Sequence, residues 1–364
     1  MKKELLSNVI TLTAVGDIML GDGPACAGHG VGSSMKRKGS ITLLKNIEPF
    51  VKRGDIAFGN LECVVSNYNI VPNKMKLFPM RAHPDTLEGL VSAGFNMLSL
   101  ANNHIMEYGK EGLQETIDHL SGHGIKYIGI SSSIENSRRL NTLTIKGVKF
   151  IFLAYCLVPD KTVYNINTNP EEIYRDIKDA KTFTDIVIVS VHWGKEFIEI
   201  PSPDQIQIAH QMINSGANLI LGHHSHILQG IEQYHQGLIA YSLGNFVFDV
   251  NYLEELRSSV ILECRFSRNG IVDYDLHPVY IDKHYRPVVL EGEEKNRALL
   301  TIKQLSSNLK NAARDDIQEY EKKVNKRRRS IRKRMMRYFM RNIYRYPWQY
   351  TWHTIIKYMK KKLL

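Results

Sequence analysis

Three histidines lie within four residues of the segment NLILGHHSHILQG, residues 218–230, directly after an apolar run. In an extended segment, side chains alternate between opposite faces. His224 and His226 would then point the same way, and His223 the opposite way. The two-residue spacing therefore predicts that His224 and His226 form a pair of ligands, with His223 packing behind them or supporting them.

Side chains that can bind metals also end four other apolar, strand-like segments. Loops that leave rigid strands can fix the geometry of such donors. Carboxylate, imidazole and amide oxygen together suit Mn, Fe or Zn, whereas calcium takes oxygen ligands alone. The donors are Asp17 in VGDIML, Asn60 and Glu62 in GNLE, Asn103 and His104 in ANNH, and His192 in SVHWG.

Each of these residues also has an ordinary structural explanation. Asp17 could cap a helix or form a turn, and Asn102 and Asn103 could cap the helix that follows them. A single histidine such as His192 is more often a hydrogen-bonded core residue, and Glu62 could be a solvated surface acid. The joint occurrence of these groups at strand ends favours one shared metal centre over separate packing roles.

The hydrophobic pattern predicts the elements that position these side chains. Residues 9–15 are apolar and β-branched, which indicates a buried first strand. Predicted helices at 84–93, 170–183 and 204–214 are each followed by a strand that ends in polar residues. In α/β proteins, ligands bind where such strands end.

Other segments indicate antiparallel strands. Residues 142–156 contain two β-rich runs around Lys146-Gly147, which predicts a hairpin. Residues 238–248, 259–265 and 271–280 are predicted to be further strands. This mixture predicts an α/β (α+β) fold with two packed mixed sheets flanked by helices, rather than one doubly wound sheet.

Composition excludes several classes of protein. The four cysteines are scattered without CxxC spacing, which argues against a disulfide framework or a cysteine-built zinc site and fits a reducing compartment. No window approaches 18 uninterrupted apolar residues, so no transmembrane segment is predicted. The apolar run of MKKELLSNVITLTAVGD is interrupted by polar residues, so we expect a cytoplasmic start rather than a signal peptide.

The positive charge is concentrated at the C-terminus. The 364 residues carry a formal net charge of +11, yet residues 321–364 contain 16 Lys and Arg and a single acid, Glu321. The pattern becomes helical near residue 294. We therefore predict a boundary between a domain over 1–293 and a helical, basic, aromatic-rich extension over 294–364.

Basic residues interleaved with aromatics suit an anionic membrane surface or nucleic acid phosphates. A helix over 332–345 would gather apolar side chains near one face, and aromatic residues after Pro347 suit a headgroup region. We expect peripheral attachment to the inner face of the cell membrane. A partner-binding or solvated helix is the alternative, and nucleic acid is the least favoured partner. The apolar face would consist of Ile331, Met335, Tyr338, Phe339 and Ile343.

Six ordered segments carry a resemblance to a known family. VGDIML, DIAFGNLE, SLANNHIMEYGKEGLQET, VSVHWGKEF, LILGHHSHILQGIE and YSLGNFVFD resemble the CapA-type capsule synthesis proteins. These are similar to the poly-γ-glutamate synthesis accessory protein and belong to the calcineurin-like metallophosphatase superfamily. The resemblance covers residues 9–285 and does not reach the basic extension. It implies a four-layer α/β/β/α metallophosphatase-like sandwich with divalent metal ions, two in number, at the strand ends.

The resemblance also assigns roles to individual residues. Asp17 would bridge both ions, Glu62 would take the place of a second aspartate, and His104 would be the catalytic residue at the leaving or phosphoryl oxygen. The implied metal ligands are Asp17, Glu62, Asn103, His192, His224 and His226. Residues expected to support the ligands or contact substrate are Asn60, Asn102, Trp193, Glu196, His223 and Asn245.

One position departs from the superfamily pattern. Met19 stands two residues after Asp17, where the superfamily usually has a histidine. One metal would therefore have one nitrogen donor fewer than usual. The number of ions, one or two, stays open at this point.

Three functions fit these features. The first is a metal-dependent phosphoesterase-like hydrolase that acts on a phosphorylated or anionic substrate in the synthesis or export of a capsular polymer such as poly-γ-glutamate. The second is a non-catalytic, membrane-associated assembly subunit that contacts the capsule synthase or exporter. The third, a nucleic-acid phosphodiesterase recruited by the basic extension, is the least favoured.

Overall fold

A computed structural model describes residues 9–67, 80–130, 142–158, 169–250, 252–314 and 316–362. The residues that bear on the expected cytoplasmic start, 1–8, lie outside this part of the chain. All numbers below refer to the described residues.

Sixteen strands are present. They are β1 (Ile10–Ile18), β2 (Ile56–Leu61), β3 (Val64–Val65), β4 (Arg81–Ala82), β5 (Met97–Ser99), β6 (Lys126–Ile128), β7 (Thr142–Ile145), β8 (Val148–Cys156), β9 (Ile186–His192), β10 (Leu219–His223), β11 (Ile231–Tyr234), β12 (Gly237–Ala240), β13 (Asn245–Val247), β14 (Ser258–Ser267), β15 (Gly270–Ile281) and β16 (Pro287–Val289).

The helices flank and follow these strands. They are α1 (Val31–Lys38), α2 (Ser40–Leu44), α3 (Glu48–Val51), α4 (Leu87–Ala93), α5 (Gly109–Gly122), α6 (Pro170–Lys181), α7 (Pro203–Asn214), α8 (Gly292–Ser307), α9 (Leu309–Ala312), α10 (Ile317–Arg341) and α11 (Trp348–Lys362). Single 3-10 turns lie at Pro24–Cys26, Lys45–Ile47, Pro84–Thr86, Glu254–Arg257 and Ile343–Arg345.

The strands form two large mixed sheets. The first has the order β16-β15-β14-β1-β2-β5-β6, with β13 also pairing with β1. The second has the order β11-β12-β10-β9-β8-β7, and β3 and β4 form a separate small pair. Parallel pairing of β1 with β2 and of β9 with β10 brings the carboxyl ends of these strands to one edge of the molecule.

The two sheets pack face to face between helices. Apolar side chains of both sheets meet in one buried cluster, in which the rings of Phe58 and Phe152 stack at 5.9 Å. The outer face of the first sheet packs on α1, α2, α4 and α5, and the outer face of the second on α6 and α7. This is the four-layer α/β/β/α sandwich predicted from the sequence.

Local sequence signals account for several element boundaries. The Lys146-Gly147 turn has positive φ at both residues, 48° and 78°, as a two-residue hairpin requires, so the predicted hairpin is confirmed. Ser202 and Gln205 form a reciprocal capping box that starts α7. Gly94 ends α4 in the left-handed conformation with φ 102°.

Two predicted strands have different bounds in the structure. The first strand was expected to break at Gly16-Asp17, but β1 continues to Ile18 because Asp17 pairs with β2 on one side and with β13 on the other. Residues 238–248 were expected to form one strand. They form β12 in the second sheet and β13 in the first, and the chain crosses between them at Gly244, whose φ is 74°.

The basic extension packs on the body of the protein. Ile331 of α10 is buried in the same apolar cluster as the first sheet, and Phe339 packs against Ala27 and Tyr346. The apolar face predicted to meet a membrane is therefore covered by the protein itself. This occurs because an amphipathic helix buries its apolar face against whichever apolar surface is available. The boundary near residue 294 stays a prediction.

Candidate metal centre

The predicted ligands lie where β1, β2, β9 and β10 end. Asp17 is in register with Asn60 across the first sheet, and His192 is in register with His223 across the second. Since the two sheets face each other, these pairs and the loops that follow them converge on one buried site.

Two glycines allow the strands that carry the ligands to approach their neighbours. A Cβ atom at Gly16 would lie 1.9 Å from the carbonyl oxygen of Gly244, and a Cβ atom at Gly222 would lie 2.0 Å from that of Tyr241. Any side chain at either position would push the strands apart. The glycines directly before Asp17 and His223 therefore set the depth at which those two residues enter the site.

Asp17 lies at the centre of the group and is fully buried. Its Oδ1 accepts a hydrogen bond of 2.8 Å from Asn60 Nδ2, and its Oδ2 accepts one of 3.2 Å from the backbone N–H of His224. Nδ1 of His223 and Nδ1 of His226 lie 3.3 and 3.4 Å from its oxygens. Burial alone would raise the pKa of Asp17, but hydrogen bonding and positive charge from the two imidazoles lower it well below its usual range.

Glu62 is the most exceptional side chain of the site. It is fully buried, and neither of its carboxylate oxygens has a hydrogen-bond partner among the described residues. Its Oε1 lies 3.6 Å from Nε2 of His104, 3.7 Å from that of His192 and 3.6 Å from that of His226. Burial raises the pKa of Glu62 well above its usual range, although the charge of His226 opposes this shift.

His224 and His226 are held in an unusual backbone conformation. Their φ angles are 88° and 57°, in the left-handed region that non-glycine residues rarely adopt and that is concentrated at functional sites. One ligand atom from each of Glu62, His224 and His226 can lie within 4.8 Å of the other two. Burial, together with the charge of His226, lowers the pKa of His224 to about 3, so its imidazole is neutral and has a free lone pair.

Asn245 determines the orientation of the His226 ring. Its Nδ2 donates to the carbonyl oxygens of His226 and Leu256, at 3.0 and 3.1 Å, so its Oδ1 must be the acceptor that faces His226 Nδ1 at 3.0 Å. This hydrogen bond places a proton on Nδ1 and directs Nε2 towards Glu62. Burial lowers the pKa of His226, but the charges of Glu62 and Asp17 more than offset this and raise it to about 10.

Asn103 joins His192 to His104. Its Oδ1 lies 2.8 Å from His192 Nε2, and its Nδ2 lies 3.3 Å from His104 Nε2. Burial and the neighbouring His224 lower the pKa of His192 well below its usual range, so the ring is neutral. A cation between Asn103 Oδ1 and His192 Nε2 would replace their direct hydrogen bond.

Asn60 and Asn102 hold the ligand loops in place. Asn102 donates to Asn60 Oδ1 at 3.2 Å and to the carbonyl of Leu61 at 2.8 Å. Its own Oδ1 accepts from the backbone N–H groups of His104 and Ile105, each at 3.1 Å. Asn102 therefore closes the turn that carries His104. The helix-capping role is wrong, because α5 begins after Tyr108 without a side-chain cap.

Sequence reasoning missed Glu107. Its Oε1 lies 2.8 Å from His104 Nδ1, and its Oε2 accepts from the backbone N–H of Met80 at 2.8 Å. The carboxylate therefore fixes the ring so that Nε2 faces the centre. The signal was present in NHIME, because residues three apart in a tight turn lie side by side.

Two expectations need correction. His223 was expected to point away from the pair, but its Nδ1 lies 3.3 Å from Asp17 Oδ1, and His226 approaches the same carboxylate at 3.4 Å. Trp193 does not reach the site, since it stacks on Tyr241 in the outer core and donates to that residue's carbonyl at 3.0 Å. Glu196, which was expected to support the ligands or contact substrate, lines the cavity beside the centre.

The donor set fits a bound cation. Buried carboxylate and imidazole groups normally have partners, because an unpaired buried polar group costs free energy. Here both Glu62 oxygens and His224 Nδ1 have no hydrogen-bond partner in the described part of the chain. The apolar burial of Met19 explains why it supplies no further donor. The fold and this group together define a four-layer α/β/β/α protein with a buried group of residues that could hold a divalent metal ion.

Comparison with known proteins narrows the class of protein to one family. The sequence profile of the family described as "Bacterial capsule synthesis protein PGA_cap" matches residues 11–250, which include every predicted ligand. The chain belongs to this family. It is 31% identical over 304 residues to "Capsule biosynthesis protein CapA" of Bacillus anthracis, covering 79% of this chain and 71% of that protein.

Further relatives agree with this assignment. "PGA biosynthesis protein CapA" of Bacillus subtilis is 28% identical over 306 residues, covering 82% of this chain and 78% of the relative. Among solved structures, a phosphatase from Mycoplasma pneumoniae overlaps 75% of this chain and 94% of its own at 13% identity with a TM-score of 0.48. That overlap is too loose to assign an activity.

Proposed function

We propose that this protein is a metal-dependent phosphoesterase that acts on a phosphorylated or anionic substrate in the synthesis or export of an anionic capsular polymer such as poly-γ-glutamate. One observation carries the proposal. The Glu62 carboxylate is fully buried without a hydrogen-bond partner in the described chain and faces the Nε2 atoms of three histidines. A buried acid in such a setting is stabilised by a cation.

The donors divide into two groups that suit two divalent ions, Mn, Fe or Zn. Glu62, His224 and His226 would hold one ion, and Asn103 and His192 the other, with Asp17 between them. Such ions would supply positive charge that stabilises phosphoryl oxygens, and they would lower the pKa of water in the site. His192 Nε2 lies 3.7 Å from Glu62 as well as 2.8 Å from Asn103, so it lies between the two donor groups, and Met19 leaves one ion with one donor fewer.

His104 is the residue suited to move a proton. Its Nδ1 bonds to Glu107 at 2.8 Å, which fixes the orientation of the ring. Its Nε2 faces the ligand group, where the doubly protonated ring would donate a proton to a departing oxygen and the singly protonated ring would accept one. Such a positioned acid contributes about 10²–10⁴-fold to a rate.

The names of the relatives support the choice of polymer. The Bacillus relatives are described as capsule and poly-γ-glutamate (PGA) biosynthesis proteins, and the matched family as capsule synthesis proteins. A polymer of γ-linked glutamate is an anionic chain. The substrate proposed here is therefore an anionic precursor or intermediate of such a polymer.

We further propose that α11 attaches the protein to the inner face of the cell membrane. Trp348 and Trp352 are 76% and 64% exposed, and amphipathic aromatic rings favour the headgroup region. The Lys residues at 357 and 360–362 would add attraction to anionic lipids. Among the described helices, none combines the length and apolar character needed to cross a bilayer.

Turnover of a generic phosphodiester and a generic phosphomonoester tests the activity. Wild type loaded with Mn should hydrolyse at least one of them, and His224→Ala should abolish hydrolysis, while His119→Ala on α5 should not. Metal binding without turnover in wild type would instead favour the non-catalytic assembly subunit. Turnover of polynucleotides that depends on residues 317–364 would favour the nuclease alternative.

A further inference from the structure

A cavity of about 620 Å³ opens beside the metal centre, and helix α10 of the basic extension forms part of its wall. His104 and His226 face the cavity from the centre. Arg328, Ile331 and Arg332 face it from α10. A substrate that reaches His104 would therefore contact a helix that lies outside the residues matched by the family profile.

Several contacts fix α10 in this position. Ile331 is 2% exposed and packs in the main apolar cluster. Arg334 makes a bidentate pair with Glu255 at 2.7 and 3.1 Å. Arg327 donates to the carbonyl of Phe197 at 3.3 Å, on the loop that follows β9. The helix is thus attached to loops of both sheets, and its cavity face is held against the site.

The arginines of α10 fall into two groups. Arg327 and Arg334 form ion pairs with carboxylates of the body. Arg328 and Arg332, which line the cavity, have no carboxylate within 4.0 Å among the described residues. Of the two acids in the cavity wall, Asp249 accepts a hydrogen bond of 2.7 Å from the backbone N–H of Gly23, and Glu196 makes no ion pair with either arginine in the described chain.

We propose that Arg328 and Arg332 bind an oxyanion of the substrate at the mouth of the metal centre, so that α10 determines substrate specificity. A guanidinium group presents a planar fork of N–H donors that matches phosphate or carboxylate oxygens. This inference rests on the proposed function for the nature of the reacting group. The shared chemistry of the ligand is a compact oxyanion, either a phosphoryl group or a side-chain carboxylate.

Equilibrium binding to the metal-loaded full chain tests this inference without turnover. Inorganic phosphate and glutarate are titrated separately by calorimetry into wild type, Arg328→Gln/Arg332→Gln and Arg329→Gln. Arg329 is an exposed arginine of the same helix outside the cavity, so its variant controls for the loss of a positive charge elsewhere on the helix. Metal content and melting temperature are measured for each protein.

The double variant should bind phosphate or glutarate with a dissociation constant at least about 10-fold higher than that of wild type. Hydrogen bonds between charged groups are among the strongest. Arg329→Gln should change the dissociation constant by less than about 2-fold, because a lone exposed charge contributes little. If the double variant loses more affinity for phosphate, the substrate oxyanion is a phosphoryl group. If it loses more affinity for glutarate, the oxyanion is a carboxylate. Lys at both positions should restore part of the affinity.

The inference is overturned if the double variant matches Arg329→Gln, or if wild type binds neither anion while it retains metal. Neither result would contradict the proposed metal centre. Conversely, an arginine-dependent oxyanion site in a protein without phosphoesterase turnover would contradict the proposed activity and keep this inference. The two proposals can therefore fail separately.

Discussion

At the residue scale, the centre depends on which nitrogen of each imidazole is free. Asn245 accepts a hydrogen bond from Nδ1 of His226, and Glu107 accepts one from Nδ1 of His104. Both rings therefore direct Nε2 towards the centre. Without Asn245 the tautomer of His226 would not be fixed, and without Glu107 that of His104 would not be fixed. These two hydrogen bonds convert a buried group of polar side chains into a set of directed donors.

Replacing Asn245 by Ala should weaken metal binding about 10–100-fold, as the loss of such a supporting partner typically does. The His226 ring would lose the acceptor that fixes its tautomer, and the loop would lose two hydrogen bonds. Competition with a chelating dye measures the affinity. Asn269→Ala, at an exposed hairpin turn, is the control and should bind metal normally. Equal affinity in both variants would refute the role of Asn245.

Metal affinity should rise with pH. The charges of Glu62 and Asp17 raise the pKa of His226 to about 10, so in the metal-free protein its ring is protonated at neutral pH. A metal ion must displace that proton, so binding strengthens as the pH rises towards that pKa, by about tenfold per unit for each proton released. Calorimetry in buffers of different ionisation enthalpy counts the protons. Binding without proton release at neutral pH would contradict this assignment.

The sequence was sufficient to predict which candidate ligands lie together but not every orientation. Asp17, Glu62, Asn103 and the histidines were recognisable because donor residues end apolar strand-like runs. The orientation of His223 was wrong because alternation holds only in extended backbone, and His224 has a φ of 88°. Trp193 was misplaced because adjacent side chains along a strand point to opposite faces. The side chain next to the candidate ligand His192 therefore enters the outer core.

At the element scale, the ends of β1 and β10 must approach neighbouring backbone closely. Gly222→Ala would force the new Cβ atom towards the carbonyl of Tyr241 and displace the histidine loop. Overpacking of this kind costs about 1–3 kcal/mol, and we expect lower metal content as well. Chemical denaturation and elemental analysis measure the two effects.

Gly122→Ala is the matched control for that variant. A Cβ atom at Gly122, at the end of α5, would meet no heavy atom within 4 Å. Alanine should therefore be neutral or stabilise the helix by up to about 1 kcal/mol. If Gly222→Ala unfolds at the same denaturant concentration as this control, the close approach of β10 is not required.

Most elements were predictable because their signals are local. The Lys146-Gly147 turn and the alternation of helix and strand follow from turn chemistry and hydrophobic period. The separation of β12 from β13 was not predictable, because residues 238–248 are apolar throughout and only the pairing partners differ. Nothing in the local pattern states which sheet a buried strand joins.

At the scale of the whole molecule, helix α10 packs as part of the folded body. Ile331→Ala should destabilise the protein by about 2–5 kcal/mol, the usual cost of truncating a buried isoleucine. Met340→Ala, at a position 58% exposed on the same helix, should stay within about 0.5 kcal/mol of wild type. Unfolding curves compare the two. Similar stability of both variants would show that α10 is not packed on the body.

This packing could not be derived from the sequence. Basic and aromatic residues with one apolar face fit a membrane, a partner or the protein's own core equally well, since the same hydrophobic burial drives all three. The structure places the apolar face of α10 on the body and leaves Trp348 and Trp352 of α11 exposed. Any membrane contact is therefore expected at α11.

Elemental analysis of the purified protein tests the central claim most directly. Wild type prepared without chelators and then offered Mn, Fe or Zn should retain at least one ion per chain, and Glu62→Gln should lose it, because the substitution removes the buried charge that faces three imidazoles. A wild-type protein that retains none of these metals, or a Glu62→Gln variant with unchanged metal content, would contradict the account.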